Sequence, residues 1–282
     1  MNIAVTGASG FIGRHVVSEL DAQGRAATLA SRSPTARNHF ATTHTVVPLD
    51  LASAENPYAA LGKPDVLIHL AWGGLPNYQS SHHIERELPA QIEFLRRMVL
   101  GGLGHLVVAG TCLEYGMQSG RLHEAMKAQP TTRYGKAKDS LRILLEELQD
   151  DVPYTLAWAR LFYVFGAGQA ETSLFAQVRD AVKRGDEIFN MSGGQQLRDY
   201  LPVTTVARHL VALSLARRDV GIVNVCSGEP ISVLDLVRSW IEEFGWPIRL
   251  NPGQHPYPDY EPMAFWGDRT KLQQALEAGT AP

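Results

Sequence analysis

Short apolar runs alternate with amphipathic stretches along most of the chain. The first run is Asn2-Ile3-Ala4-Val5, and others of strand length occupy 26–30, 45–49, 65–71, 103–109, 154–162 and 221–226. Between them, apolar residues recur at helical spacing over 14–23, 84–100, 134–148, 173–184, 205–217 and 233–244. A last helix is expected over 269–276, with Asp268 as its cap. Regular alternation of strand and helix predicts an α/β fold whose parallel sheet is doubly wound, with helices on both faces. The pattern loosens after Gly166, and the tail over 246–267 is rich in proline and aromatic residues. A smaller C-terminal lobe is expected from these pieces, with Trp240, Trp246 and Trp266 in its core.

The first apolar run leads into Thr6-Gly7-Ala8-Ser9-Gly10-Phe11-Ile12-Gly13 and then into the first helical stretch. Gly7 suits the tight turn, Gly10 lets backbone approach a pyrophosphate, and Gly13 lets helix pack on strand. The first N–H groups of the helix, aided by its dipole, then face the phosphates. Glycines also mark plain loops, but the position between a strand and a helix favours a dinucleotide. Gly7, Ser9, Gly10, Phe11, Ile12 and Gly13 are the expected contacts of this Rossmann-type turn. Residues 1–165 then read as a dinucleotide-binding domain to which 198–227 returns. Residues 166–197 and 228–282 read as an interleaved substrate-binding lobe.

Composition narrows the class without changing it. The 282 residues are 45% hydrophobic and 20% charged, with a net charge of −3, so neither nucleic acid nor an acidic membrane is an expected partner. No apolar run approaches the ~20 residues of a membrane span. The N-terminus is itself the first strand, which leaves no signal peptide expected. Cys112 and Cys226 make no disulfide framework and no metal spacing. A cytoplasmic protein with reduced thiols and no metal is the expectation.

The candidate chemistry lies at Thr111, Tyr134 and Lys138. Tyr134-Gly135-Lys136-Ala137-Lys138 places a phenol and an ammonium one helical turn apart on one face. A free phenol, with a pKa of about 10, is a poor acid or base at neutral pH, and a neighbouring cation lowers that value. Such a pair suits proton transfer to a carbinol oxygen while hydride moves at carbon. The pattern alone is common on helix surfaces. Thr111 follows an apolar run, where a hydroxyl can hold a substrate oxygen or simply cap a turn.

Taken together, these pieces resemble the extended short-chain dehydrogenase/reductase family of nucleotide-sugar epimerases, dehydratases and ketoreductases. The resemblance rests on Thr6 to Gly13, Asp50-Leu51, His69-Leu70-Ala71, Thr111 with Tyr115-Gly116, and Glu124 with Pro130. It continues through Tyr134 with Lys138, Arg160 to Gly166, and Arg198-Asp199-Tyr200, and it spans nearly the whole chain. It implies that Thr111 holds the reacting oxygen, Tyr134 is the acid/base, and Lys138 meets the ribose and tunes the phenol. It implies that Asp50 and Leu51 meet the adenine and that Leu70, Ala71 and Trp72 line the cofactor's path. Arg198 matches the arginine that grips a diphosphate, a role suited to the guanidinium's parallel N–H groups. The alternative for Arg198 is a salt bridge to a nearby acid. A homodimer through 84–100 and 134–148 is also implied.

Departures from the family pattern narrow the reaction. An acid that would accept from an NAD ribose is missing at the end of the second strand, where Ser31-Arg32-Ser33 stands. These residues suit a 2′-phosphate and favour NADP(H). Otherwise Arg32 is a solvated loop residue and NAD(H) is used. Family dehydratases carry Asp-Glu directly after the threonine; here Cys112 and Leu113 stand there, with Glu114 one place late. Dehydration is disfavoured, and reduction of a nucleotide-linked 4-keto-6-deoxy sugar is expected, with a 4-epimerase holding NAD as the alternative. Tyr163 replaces an asparagine that touches substrate in many relatives. Cys112, Tyr163 and Arg198 are the substrate candidates beside Thr111. His69 reads as a packed core histidine, His82-His83 as no metal pair, and Trp72-Gly73-Gly74 as a flexible lid or a loop.

Overall fold

A computed structural model describes residues 1–32 and 40–277. In chain order the elements are β1 (Ile3–Thr6), α1 (Phe11–Ala22), β2 (Thr28–Ser31), β3 (Thr45–Pro48), α2 (Pro57–Ala60), β4 (Val66–His69), α3 (Leu88–Leu100) and β5 (His105–Thr111). They continue as β6 (Gly120–Leu122), α4 (Arg133–Asp151), β7 (Thr155–Leu161), β8 (Tyr163–Phe165), α5 (Leu174–Arg184), β9 (Ile188–Ser192), β10 (Leu197–Arg198) and β11 (Tyr200–Pro202). The last are α6 (Val203–Ala216), β12 (Gly221–Val225), β13 (Ile231–Ser232), α7 (Val233–Phe244), β14 (Arg249–His255), β15 (Phe265–Gly267) and α8 (Thr270–Glu277).

Seven strands form one parallel sheet in the order β12-β7-β5-β4-β1-β2-β3. The chain starts in the middle of the sheet and winds outward in both directions, so the order reverses between β1 and β4. In such sheets the crevice beyond the carboxyl ends at the reversal is where ligands bind. On one face α1 and α6 bury Val16, Val17, Leu20, Val206, Leu210 and Val211 against the strands. On the other, α3 and α4 contribute Phe94, Leu95, Met98, Leu141 and Leu145, which pack with Trp158. This double burial is why the strands are unbroken apolar runs.

The later segments build a third core, in which Phe175 and Val178 of α5 meet Trp240 of α7 with Trp246 at the edge. Trp266 stands elsewhere, on β15 in register with Arg121 of β6, because its strand pairs across to β6 instead of entering that core. The tail over 246–267 contains two strands, β14 against β9 and β15 against β6. Both pairings join segments far apart in sequence, which local periodicity does not report. Asp268 takes its expected place, accepting the N–H of Thr270 at 2.8 Å.

The helix after the glycine turn begins at Phe11, three residues before the amphipathic pattern. Gly13 therefore lies inside the first turn, and a Cβ there would sit 2.0 Å from the Gly7 carbonyl oxygen. Gly7 itself has φ +72°, and a Cβ on it would meet the Ala71 nitrogen at 2.7 Å. Both positions need glycine for steric reasons, and together they seat α1 directly against the ends of β1 and β4.

Candidate active site

A cleft of about 270 Å³ opens at the carboxyl ends of β1, β2 and β4. Gly7, Ser9, Gly10, Ser31, Arg32, Asp50, Leu51, Leu70, Ala71 and Trp72 all line it. Phe11, Ile12 and Gly13 form the first turn of α1 behind it, and the N-cap Gly10 brings no side chain to satisfy the helix N–H groups. Free N–H groups at a helix start, beside glycines that a Cβ would jam, fit a pyrophosphate. Ser33 lies outside the described residues. Arg32 is exposed at the cleft's edge.

One wall of the cleft is clamped by a buried network that only the tertiary structure assembles. His69 is fully buried and accepts at Nδ1 from the Thr6 hydroxyl (2.8 Å) while Nε2–H donates to Gln91 Oε1 (2.7 Å). Burial pushes this ring down to about 3, so it stays neutral. Gln91 donates onward to the Ala71 carbonyl at 3.2 Å and to Glu87 at 3.0 Å. Glu87 also accepts from the Gly73 N–H, which helps hold its carboxyl below the ordinary range. Trp72 donates its indole N–H to His83 Nδ1 at 3.1 Å, and His83 Nε2–H donates to the Asn77 carbonyl at 2.8 Å. The segment Trp72-Gly73 is therefore fixed at side chain and backbone, and its reading as a flexible lid gives way to a rigid wall. His83 opens a π-helical turn, His83–Glu87, that leads into α3. His82 bonds Glu87 instead, at 3.0 Å, so the two histidines do serve different neighbours.

Tyr134 and Lys138 lie in the first two turns of α4, whose N-cap Thr132 accepts the Gly135 N–H. Both are buried. The Tyr134 ring is 5.8 Å from Trp72, 5.7 Å from Tyr78 and 5.2 Å from His83. Lys138 Nζ donates to the Ala109 carbonyl at 2.8 Å, near the end of β5, and stands 3.9 Å above the Trp72 ring. Against the lowering expected from Lys138, burial first, then the nearby Tyr78 and Glu114, push Tyr134 above its ordinary value. The ammonium meanwhile is pushed down to about 7 by its own burial. Its Nζ is turned to Ala109 and Trp72 and lies 5.9 Å from the Tyr134 ring centroid.

Thr111 ends β5 and caps the short 3₁₀ turn Cys112–Tyr115, its hydroxyl accepting the Leu113 N–H at 3.3 Å. Glu114 is fully buried. It accepts the Thr111 N–H at 2.8 Å, the Trp158 indole N–H at 3.0 Å and the Arg160 Nε–H at 2.6 Å. No bulge brings it into the acid positions that Cys112 and Leu113 vacate. Burial pushes its carboxyl up, against the pull of Arg160. Cys112 is buried too, and burial raises its thiol.

Cys112 and Tyr163 share a cluster with Phe265, and the Arg198 guanidinium lies 4.6 Å above the Phe265 ring. Arg198 is only 3% exposed and forms the salt bridge that sequence offered as the alternative: Nη2 and Nε donate to Glu261 at 3.0 and 3.2 Å. Asp199, named in the sequence only as part of the resemblance, is buried and accepts the backbone N–H groups of Ser227, Gly228 and Gly267. It ties its own strand end to two other segments.

A glycine-turn cleft at the reversal of a parallel sheet, with a Tyr-Lys pair packed behind its lining residue Trp72, defines an enzyme built on a nicotinamide-dinucleotide fold. The family profile described as the NAD dependent epimerase/dehydratase family matches residues 3–226. The chain belongs to that family, among the extended short-chain dehydrogenase/reductases. It is similar to dTDP-6-deoxy-L-talose 4-dehydrogenase (NAD(+)) of Aggregatibacter actinomycetemcomitans, 28% identical over 95% of this chain and 99% of that one. It is also similar to dTDP-6-deoxy-L-talose 4-dehydrogenase (NAD(P)(+)) of Kitasatospora kifunensis, 28% identical over 91% and 83% of the two chains. Among solved structures, MoeE5 in complex with UDP-glucose and NAD superposes with a TM-score of 0.80 at 26% identity, covering 98% of this chain and 92% of that one.

Proposed function

We propose that this enzyme reduces the keto group of a nucleotide-linked 4-keto-6-deoxy sugar, with NADP(H) favoured over NAD(H). The observation that carries the reading is the Tyr134–Lys138 pair against Trp72, which lines the cleft, with the one carboxyl on the turn after Thr111 buried and bonded to Arg160. Two relatives named as 4-dehydrogenases of a 6-deoxy sugar support it, since a 4-dehydrogenation run backwards is a 4-keto reduction. The second reading, a nucleotide-sugar 4-epimerase with tightly bound NAD, gains from the solved relative that holds UDP-glucose together with NAD. Denaturing the purified protein and assaying the supernatant separates the two: an epimerase releases stoichiometric NAD(H), a reductase comes out empty.

In this mechanism the Thr111 hydroxyl holds the reacting oxygen and Tyr134 gives it a proton. A bound nicotinamide supplies the hydride. Lys138 has one carbonyl acceptor, Ala109, and so keeps N–H groups for ligand hydroxyls. Cys112, Tyr163 and Arg198 line the sugar and diphosphate side. Loss of NADPH absorbance on mixing with dTDP- or UDP-linked 4-keto-6-deoxyhexoses is the expected result; no consumption with any nucleotide removes the reading. Arg32, at the adenosine end, is assigned to a 2′-phosphate. Arg32→Ala is then expected to weaken NADPH by about 10- to 100-fold, the worth of one charge-assisted hydrogen bond, and to leave NADH unchanged. Equal losses for both dinucleotides would return Arg32 to the role of a solvated loop residue.

The same reading includes a homodimer and a cytoplasmic setting. A groove between α3 and α4 is lined by Ile92, Arg96, Leu141, Leu144, Glu147 and Leu148, and Leu144 is 41% exposed. The groove carries both Arg96 and Glu147 beside its apolar lining, and an isologous contact over it would set that lining against itself. Light scattering is expected to give twice the monomer mass for the wild type and a monomer for Leu144→Glu. The two free, buried thiols suit a reducing compartment. Among the described residues, no helix is long and apolar enough to cross a membrane.

A further inference from the structure

The Arg198 guanidinium has two usable edges, and this chain fills both. Nη1 donates to the carbonyls of Leu197 (2.9 Å) and Met263 (3.3 Å). The Nε–Nη2 edge, whose parallel N–H groups suit a phosphate, holds Glu261 Oε2. Glu261 belongs to the segment 256–264 between β14 and β15, and its side chain is 8% exposed. Its charge also reaches the substrate candidates around it. Burial already lifts the phenols of Tyr163 and Tyr200 and the Cys112 thiol, and Glu261 lifts each of them further. The residue before it, Tyr260, packs its ring 5.9 Å from Tyr78, which in turn lies 5.7 Å from Tyr134. One short segment therefore both occupies the arginine and packs on Tyr78, the neighbour of the candidate proton donor.

We propose that Glu261 is an internal stand-in for the ligand's phosphate, a carboxylate that holds Arg198 until a diphosphate displaces it and lifts the segment off Tyr78. This rests on the reading of Arg198 as the diphosphate contact. A buried ion pair with one partner removed leaves an uncompensated charge, so an arginine that has lost Glu261 takes up an external anion more avidly. Only a ligand bringing its own negative charge recovers the lost pair, which makes Glu261 a filter against uncharged sugars. The same exchange couples recognition of the diphosphate to the packing around Tyr134, through Tyr260 and Tyr78.

The test uses the full chain and inorganic pyrophosphate, a probe that needs no nucleotide site. Glu261→Gln is expected to melt lower than wild type in plain buffer and to be raised far more by pyrophosphate. Its pyrophosphate affinity is expected to be about 10- to 100-fold tighter, as for a site freed from a competitor that fills it in most molecules. Equal or weaker binding by Glu261→Gln overturns the proposal and makes Glu261 a support for Arg198. Should that variant fail to fold, hydrogen exchange on the wild type decides: pyrophosphate is expected to speed exchange across 256–264, and unchanged or slower exchange overturns the proposal. UDP and dTDP form a separate arm. If pyrophosphate behaves as expected and neither nucleotide binds, Glu261 keeps its role and the nucleotide-sugar reading falls.

Discussion

Tyr134→Phe lowers the rate of sugar-dependent NADPH consumption by about 10²- to 10⁴-fold, the usual worth of a positioned general acid. The change removes one oxygen and keeps the ring that packs on Trp72, Tyr78 and His83. Folding and dinucleotide binding should therefore survive, and isothermal titration with NADPH beside the rate measurement separates chemistry from assembly. A variant that keeps more than about a tenth of the wild-type rate would transfer the proton to another donor, since a lost general acid costs at least the lower figure above. The phenol's position matters for how the rate depends on its surroundings. Burial holds it high, and Lys138 faces Ala109 and Trp72.

The second large effect is on stability. Glu114→Ala strands the Arg160 guanidinium, which is 1% exposed and whose Nε–H, among the described residues, donates to Glu114. It also takes acceptors from the Thr111 N–H and the Trp158 indole. Breaking a buried ion pair from one side costs about 3–5 kcal/mol. Urea unfolding should show a midpoint lowered accordingly with little change in slope, because the surface exposed on unfolding is the same. Glu114→Gln keeps the shape and one acceptor oxygen and should fall between the two. A loss below about 1 kcal/mol in the alanine variant, the size expected of an exposed pair, would mean that Arg160 finds another partner.

Much of the fold is legible because its signals are local. The apolar runs mark strands buried on both faces, and Gly7 and Gly13 mark a contact too close for a Cβ. The pair Tyr134 and Lys138 is legible because one helical turn fixes its geometry whatever surrounds it. The remainder depends on segments distant in sequence. Arg198 and Glu261 are 63 residues apart, and nothing around either announces the other. His83 reaches Tyr134 through a π-helical turn that helical periodicity does not encode. Trp266 lies outside the core of Trp240 and Trp246 for the same reason, since β15 pairs with β6 across more than a hundred residues. At Tyr134 the sequence shows the neighbouring cation, and the structure adds the burial that raises the phenol.

The segment bearing Glu261 is anchored on both sides, by β14 against β9 and by β15 against β6. A carboxylate on so short a tether never diffuses away after displacement; it stays at an effective concentration in the millimolar range or above. If a diphosphate displaces it as proposed, such a group competes for Arg198 again as soon as a bound product loosens. On that reading the anchoring favours a quick exit of the product and works against product inhibition.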